Sequence, residues 1–209
     1  MHKPTLNESQ DQQGSVTIIT APYVMYETVH TVKEIHIYIS SEVGDPTNYI
    51  DLIHTINTAS QNDVIYIHLN TPGGDANTGV QILNAIKHTP ARVVTVLDGV
   101  VQSLGTLIFL AGDEMIVNDN CMMMFHNFSV GIAGKGNELS AQLDATIKWF
   151  MHIGKQLYVP FMSDAEFNRI MKGEDMWLQS ADVRKRLNAM SKVRSSPKAP
   201  KPVAEPPSA

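Results

Sequence analysis

Cysteine is almost missing from this 209-residue sequence, in which Cys121 is the single one. A lone cysteine has no partner for a disulfide within the chain, which is typical of proteins from reducing compartments, and we expect a cytoplasmic location. The sequence also has no run of about 18 apolar residues, so it predicts no membrane-spanning helix. The polar segment 1–14 lacks the apolar centre of a secretion signal. We therefore expect no membrane association.

Positive charge is scarce in most of the chain. The 16 Lys and Arg residues are outnumbered by 21 Asp and Glu residues, for a net charge of -5, whereas proteins that bind nucleic acid by neutralising its phosphates usually carry a basic excess. Seven of the basic residues and a single acid lie within 183–209. Prolines in that segment oppose both helix and sheet, which favours a solvated tail over an arm that binds nucleic acid. We expect no nucleic-acid partner.

Two common kinds of ligand site are missing as well. Neither of the glycine-rich phosphate motifs, GxGxxG and GxxxxGKS/T, occurs in the sequence. The eight histidines are scattered without the spacing of metal ligands, which argues against a zinc site. We therefore expect neither a metal nor another cofactor.

What the sequence does contain is an alternation of strands and helices. Apolar runs predict strands over 34–40, 63–69 and 92–97, and amphipathic segments predict helices over 46–57, 75–87 and 103–111, with a turn at Asp98-Gly99. Two short strands (114–117 and 122–128) and a long helix (137–158) follow, and Ser163 and Ser180 are expected to cap two more helices. This alternation predicts an α/β domain with a mostly parallel sheet over 31–190, between an N-terminal arm, 1–30, and a disordered basic tail, 191–209.

Two turns in this pattern are candidates for chemistry. The segment Thr71-Pro-Gly-Gly74 follows a strand, and its glycines leave backbone N–H groups uncovered, as an oxyanion hole requires. An ordinary strand-to-helix turn is the alternative. Ser103, in Gly99-Val-Val-Gln-Ser-Leu-Gly105, lies where a helix begins, so its hydroxyl is either a nucleophile or the cap of its own helix.

His126 is the third candidate. It follows the apolar run Cys121–Phe125 and precedes a polar loop that contains glycines. A histidine in this position can act as a general base when a serine lies within hydrogen-bond reach. A structural histidine at the end of a strand is the alternative.

The order and spacing of these three features resemble those of the ClpP family of serine peptidases. The resemblance extends from about Ile35 to Leu187 and rests on five successive motifs: Thr71–Gly74, Gly99–Gly105, Ala111-Gly112, Met122–His126 and Gly131–Gly136. It implies the ClpP/crotonase-type spiral of strand-turn-helix units. The predicted helix over 137–158 would be the family's long handle helix, which joins two rings.

The resemblance implies a role for each candidate. Ser103 would be the nucleophile and His126 the base that accepts its proton, while the backbone N–H groups of Gly74 and Leu104 would form the oxyanion hole. The triad acid is less well defined by the match. The expected acid is Asp175, in the segment Asp175-Met-Trp-Leu178, and the alternatives are Glu174, Asp144 and Asp164.

On this resemblance we expect a serine endopeptidase that cleaves unfolded polypeptides through an acyl-enzyme. As the proteolytic subunit of an ATP-dependent Clp-type protease, it would assemble into stacked rings, heptamers in the family, fed by a Clp-type AAA+ ATPase. A catalytically degenerate subunit that acts in assembly or regulation is the alternative if no acid lies beside His126. A crotonase relative acting on acyl-CoA would also use the Gly73-Gly74 loop, but Ser103 and His126 favour the peptidase.

Overall fold

A computed structural model of the chain describes residues 31–131 and 133–194. The strands in this part are β1 (Glu34–Ile39), β2 (Val64–Thr71), β3 (Arg92–Gln102), β4 (Glu114–Val117), β5 (Met122–Phe125) and β6 (Met176–Gln179). The helices are α1 (Ile50–Thr58), α2 (Ala76–His88), α3 (Leu104–Leu110), α4 (Gly136–Tyr158), α5 (Asp164–Met171) and α6 (Ser180–Arg194). A 3-10 turn, Pro46–Tyr49, precedes α1. The predicted arm, 1–30, and the predicted tail beyond Arg194 lie outside the described residues.

The strands form one mostly parallel sheet in the order β1-β2-β3-β5-β6. β3 is long enough to pair with two further strands: Val94–Leu97 pair with β4, and Val100–Gln102 pair with β5. All pairings among β1 to β5 are parallel, and β6 runs antiparallel to β5. The predicted α/β architecture is therefore confirmed, and the carboxyl ends of β2, β3 and β5 lie side by side at one end of the sheet.

The predicted turn at Asp98-Gly99 is wrong, because β3 runs through both residues to Gln102. The reason lies on the neighbouring strand. A bulge near the end of β2 shifts the register there, and the Asn70 side chain accepts a hydrogen bond from the Val100 N–H at 3.1 Å. Asn70 thus supplies a partner where the regular ladder is interrupted, so the strand continues as far as the residue before Ser103.

Two smaller predictions also need correction. β5 ends at Phe125, before the predicted strand end at Phe128. α6 begins at Ser180, but the Ser180 hydroxyl accepts a hydrogen bond from the Cys121 N–H at 2.8 Å and donates to the Cys121 carbonyl at 3.1 Å. The side chain therefore joins the start of α6 to the residue just before β5 rather than serving the predicted cap. Burial raises the pKa of the Cys121 thiol.

The core is built from the sheet and from the helices packed on it, and α4 takes part only at one end. α3 is buried along its whole length. In α4, the buried residues are Gly154, Leu157 and Tyr158 in the last turns. Earlier in the same helix, Leu143, Ile147 and Trp149 are 37%, 39% and 38% exposed. α4 therefore presents apolar side chains that the rest of the described chain does not cover. No helix within residues 31–131 and 133–194 is long and apolar enough to cross a bilayer.

The side chain of Glu166 ties α5 to α6. It closes the predicted capping box by accepting a hydrogen bond from the Ser163 N–H, and it forms an ion pair with Arg186 of α6 at 2.7 Å. The Arg186 hydrogen bond, followed by that of the Ser163 backbone, lowers the pKa of Glu166 from its ordinary 4.5 to about 2. The segment that carries Asp175 lies between the two helices that this carboxylate joins.

Glu166→Gln should destabilise the protein in a pH-dependent way. Because the pKa of Glu166 is lower in the folded than in the unfolded chain, its stabilisation is complete above its ordinary 4.5 and is lost as the pH falls toward about 2. We expect a loss of about 2 kcal/mol in the free energy of unfolding at pH 7, after allowance for solvent screening, and about half of that loss at pH 3. Urea unfolding at both pH values measures the difference.

Glu114→Gln is the control for this prediction, because it removes an exposed ion pair with Arg92 at 3.2 Å. An exposed pair of this kind contributes little, so the control should cost less than about 0.5 kcal/mol at either pH. Equal losses for the two variants at pH 7 would contradict the role given to Glu166.

Candidate active site

Ser103 occupies a sharp turn between β3 and α3. Its φ of 52° with ψ of -126° lies in a backbone region that residues other than glycine rarely adopt. The turn is anchored by the Ser103 N–H, which donates to the Met124 carbonyl of β5 at 2.9 Å. Within the described residues the Ser103 hydroxyl has no hydrogen-bond partner, its own helix included. The interpretation of Ser103 as a cap satisfied by its helix is therefore not supported, and the hydroxyl is free for chemistry.

The glycine loop after β2 lies directly against this turn. A Cβ atom on Gly73 would be 2.8 Å from Ser103 Cβ and 3.0 Å from the Leu104 nitrogen, and the φ of Gly73 is +94°. Both the close approach and the left-handed backbone require glycine. The Gly73 carbonyl accepts a hydrogen bond from the Val43 N–H at 2.7 Å, which holds the loop to the chain after β1.

Two backbone N–H groups, that of Leu104 directly after Ser103 and that of Gly74 directly after Gly73, have no acceptor within the part of the chain that the structure describes. Leu104 is the first residue of α3, so no carbonyl four residues earlier accepts its N–H. Gly74 follows Gly73, and the hydrogen bonds of its loop use the Gly73 carbonyl and the Asp75 N–H. Free N–H groups next to a serine hydroxyl are the donors that an oxyanion needs.

His126 follows the end of β5 and lies close to the Ser103 turn. The register of the β3–β5 ladder puts Ser103 level with Phe125, the residue just before His126. The His126 side chain is half-buried. Asn127 Nδ2 donates to the Met171 carbonyl at 3.0 Å, which fastens the chain directly after His126 to the end of α5. Two strand ends thus bring together residues that are 23 positions apart in the sequence.

The pairing of β5 with β6 distinguishes among the candidate acids. Phe125 lies opposite Met176 in this antiparallel ladder, so the next position outward sets His126 opposite Asp175. Side chains of opposite residues in an antiparallel pair share one face. Glu174 is paired with Arg169 at 3.2 Å and Asp164 with Lys155 at 3.4 Å, while Asp144 lies on α4. The geometry favours Asp175 over the three alternatives.

The strand registers set His126 opposite Asp175 and bring Ser103 within one position of His126, but the three side chains are not joined by hydrogen bonds. Within the described residues, the structure gives no hydrogen bond to the Ser103 hydroxyl, the His126 ring or the Asp175 carboxylate. Catalytic hydrogen bonds are often long in free enzymes and shorten when substrate binds. The absence of these hydrogen bonds in the structure therefore does not by itself exclude the three residues from a common site.

Two histidines outside this region meet although they are far apart in the sequence. His36 Nδ1 of β1 lies 3.0 Å from His68 Nε2 of β2, and Asp98 Oδ2 lies 2.6 Å from His68 Nδ1. Across residues 31–131 and 133–194, no group of three or more His, Cys, Asp or Glu side chains is arranged to hold a metal ion. The pair is therefore a hydrogen-bonded contact on the sheet.

Sequence reasoning missed two hydroxyls that support the Ser103 turn. The Thr106 hydroxyl donates to the Ser103 carbonyl at 2.6 Å, and the Tyr158 hydroxyl lies 2.7 Å from Thr106 Oγ1. The available signal is weak: a single polar residue in the apolar segment 104–110. The partner on α4 is 52 positions away, and no motif connects the two.

Comparison with known proteins identifies a family for the chain. The family model for Clp protease matches residues 23–182, which includes all three candidate triad residues and both candidate oxyanion donors. The match therefore covers most of the chain rather than a single motif.

Curated relatives are similar at low identity. A stretch of 165 residues is 25% identical to the ATP-dependent Clp protease proteolytic subunit of Borreliella afzelii and covers 74% of this chain and 80% of that protein. Proteins of the same name match from Chlorella vulgaris (23% identical; 59% of this chain, 63% of that protein) and from Deinococcus radiodurans (29% identical; 40% and 42%). The chain thus spans less than two thirds of the Chlorella and Deinococcus proteins.

Proposed function

This chain belongs to the Clp protease family, and we propose that it is a serine endopeptidase, the proteolytic subunit of an ATP-dependent protease that cleaves unfolded polypeptides. The observation that carries the proposal is the Ser103 turn. Ser103 has a positive φ, its hydroxyl has no partner among the described residues, and the Leu104 N–H directly after it, at the start of α3, is free. A serine that merely capped a helix would not need this backbone conformation.

The first half of the reaction forms an acyl-enzyme. Ser103 Oγ attacks the carbonyl carbon of the scissile peptide bond while the His126 ring accepts the hydroxyl proton. The carbonyl oxygen becomes an oxyanion, which the N–H groups of Gly74 and Leu104 stabilise. The C–N bond then breaks, His126 gives its proton to the leaving amine, and the acyl group remains on Ser103 as an ester.

The second half releases the acyl group to water. His126 accepts a proton from water as its oxygen attacks the ester carbonyl, and the new oxyanion is held by the same two N–H groups. When it collapses, the proton passes from His126 to Ser103 and the carboxyl product leaves. Asp175 orients the imidazole and stabilises its charged form, a role supported by its position opposite His126 in the β5–β6 register.

The subunit works as part of a closed assembly. Ring-forming oligomers and association with Clp ATPases are what family membership implies. The uncovered apolar residues of α4, Leu143, Ile147 and Trp149, supply a surface for contact between rings. Stacked rings, heptamers in the family, would enclose the sites, and a Clp-type AAA+ ATPase would deliver unfolded chains. A cytoplasmic location remains an expectation from the single cysteine.

Labelling with a fluorophosphonate tests the proposal most directly. Such a probe phosphonylates only an activated serine, so the purified protein should gain one label per chain and Ser103→Ala should gain none. Intact-mass measurement gives the stoichiometry for both. A peptide mixture incubated with the same two samples should be cleaved by the wild-type protein alone.

The catalytically degenerate subunit is the competing function, and the missing hydrogen bonds among Ser103, His126 and Asp175 are the observation in its favour. It predicts an assembled, folded protein that does not label. Adding a Clp-type ATPase during labelling separates a site that assembles on docking, which would then label, from a degenerate one, which would not. Equal labelling of the wild type and Ser103→Ala would exclude Ser103 as the nucleophile.

A further inference from the structure

The carbonyl of Ser103 accepts an unusual number of hydrogen bonds. Thr106 donates to it from its N–H at 3.0 Å and from its hydroxyl at 2.6 Å. The Tyr158 hydroxyl lies 2.7 Å from Thr106 Oγ1 and 3.5 Å from the same carbonyl. Thr106 is 0% exposed and Tyr158 is 1% exposed, so water does not compete for these contacts. In such surroundings each hydrogen bond is electrostatically stronger than at the surface.

This carbonyl belongs to the same planar peptide group as the Leu104 N–H. Hydrogen bonds that fix the direction of the C=O therefore also fix the direction of the N–H on the other side of the plane. The plane needs such support, because a backbone conformation like that of Ser103 costs about 1–3 kcal/mol when left to itself. Hydrogen bonds to the oxygen also polarise the peptide group, which makes its N–H a better donor.

The hydroxyls of Tyr158 and Thr106 form a chain of hydrogen bonds in which each group donates toward the Ser103 carbonyl. Burial raises the pKa of Tyr158 well above its ordinary value, so the phenol keeps its proton and can donate it to Thr106 Oγ1. Thr106 in turn donates its own proton to the Ser103 carbonyl. Bonds in such a chain strengthen one another by roughly 10–30% each. The chain starts on α4 and ends at the Ser103 carbonyl, in the peptide group that also carries the Leu104 N–H, one of the two proposed oxyanion donors.

We infer that Thr106 and Tyr158 are positioning residues of the oxyanion hole, which orient and polarise the Ser103–Leu104 peptide. The inference rests on the proposed peptidase function and assigns a part of that function to residues outside the triad. Tyr158 has a second contact that fits this role. Its ring packs edge-on against Phe125, the residue before His126, with ring centroids 5.2 Å apart. One α4 side chain therefore supports both strand ends of the site.

Substitutions at Thr106 distinguish the effect of its hydroxyl on catalysis from the effect of its side-chain volume. Thr106→Val keeps the shape and should lower kcat for a fluorogenic peptide about 10-fold with KM changed less than about twofold, because the oxyanion exists only in the transition state and intermediates. It should weaken inhibition by a peptide boronate, whose tetrahedral adduct places an oxygen in the same hole, by a similar factor. Thr106→Ser restores the hydroxyl and should restore both values. Tyr158→Phe should give a smaller loss in the same direction.

Thr95→Val is the matched control. Thr95 is 0% exposed, and its hydroxyl donates to the Phe109 carbonyl near the other end of α3 at 2.7 Å. This variant should lower the thermal stability about as much as Thr106→Val does and leave kcat within about twofold of the wild type, since the same kind of bond is lost away from Ser103.

The outcomes also separate this inference from the function on which it rests. Peptide turnover that requires Ser103 but falls equally in Thr106→Val and Thr95→Val would overturn the positioning role alone. The positioning role would also be overturned if the kcat of Thr106→Ser were no higher than that of Thr106→Val. A wild-type protein that neither hydrolyses peptides nor reacts with a fluorophosphonate, alone or with a Clp-type ATPase added, would overturn the peptidase function, and the positioning role with it.

Discussion

Asp175→Asn should lower kcat for peptide hydrolysis by about 10³–10⁴-fold and leave the fold intact. An amide cannot stabilise the imidazolium that forms on His126, and it can hold the ring in the wrong tautomer. The β5–β6 ladder ends at Phe125–Met176, and one further position in the same register sets His126 opposite Asp175, which supports this acid. Asp175 is exposed, so the substitution disturbs no core packing. Steady-state turnover of a fluorogenic peptide, with circular dichroism as the check on folding, measures the effect.

Glu174→Gln is the control for the acid, because it makes the same chemical change one residue earlier. Glu174 is already paired with Arg169 at 3.2 Å, so we expect turnover within about twofold of the wild type, as for the loss of an exposed ion pair. A larger loss of turnover in Glu174→Gln than in Asp175→Asn would identify Glu174, rather than Asp175, as the triad acid. If neither variant changes turnover, the triad assignment is wrong even where Ser103 still labels.

Structural elements that are marked by residues close together in the sequence can be predicted from it. Elements whose conformation depends on a neighbouring strand cannot. Asp75 caps α2 by accepting a hydrogen bond from the Thr78 N–H at 2.8 Å, and the capping box of α5 lies within a single turn. The Asp98-Gly99 turn fails because Asn70, on the next strand, supplies a partner for the chain just beyond it. A dipeptide that usually turns the chain is kept extended by a contact that no local pattern contains.

The residues of the candidate site also fall into two groups, those that a local sequence signal reveals and those that are placed by contacts with distant segments. Gly73 is recognisable because its close approach to Ser103 requires glycine, and Ser103 because it lies in a glycine-bounded segment where a helix begins. The position of Asp175 opposite His126 depends on β6, a short antiparallel strand that the sequence analysis does not predict. The Thr106–Tyr158 contact joins an apolar helix to the end of another, and its hydroxyls have no motif. In this protein the candidate reactive residues are therefore easier to predict from the sequence than the contacts that position them.

Leu143→Glu with Ile147→Glu should reduce the assembly in mass by at least half. The two side chains are 37% and 39% exposed and lie on one face of α4, one turn apart. Burying the exposed part of each side chain in a contact between rings would contribute about 0.5–1 kcal/mol, and the contribution is repeated for every subunit of a ring. A carboxylate at each position removes this stabilisation and adds the cost of burying a charge. Sedimentation velocity measures the mass relative to the 23.1 kDa chain.

The control must add charge to the same helix without touching the apolar face. Ala141 is exposed, lies two residues from Leu143 and about 160° away around the helix, and is more than two turns from Trp149, so Ala141→Glu should leave the mass unchanged. Peptide turnover should fall in the double variant, since the last turns of α4 carry Tyr158 to the Ser103 carbonyl and a loosened helix would disturb that contact. An unchanged mass in the double variant would mean that this face of α4 meets water in the assembly, and that rings join through another surface.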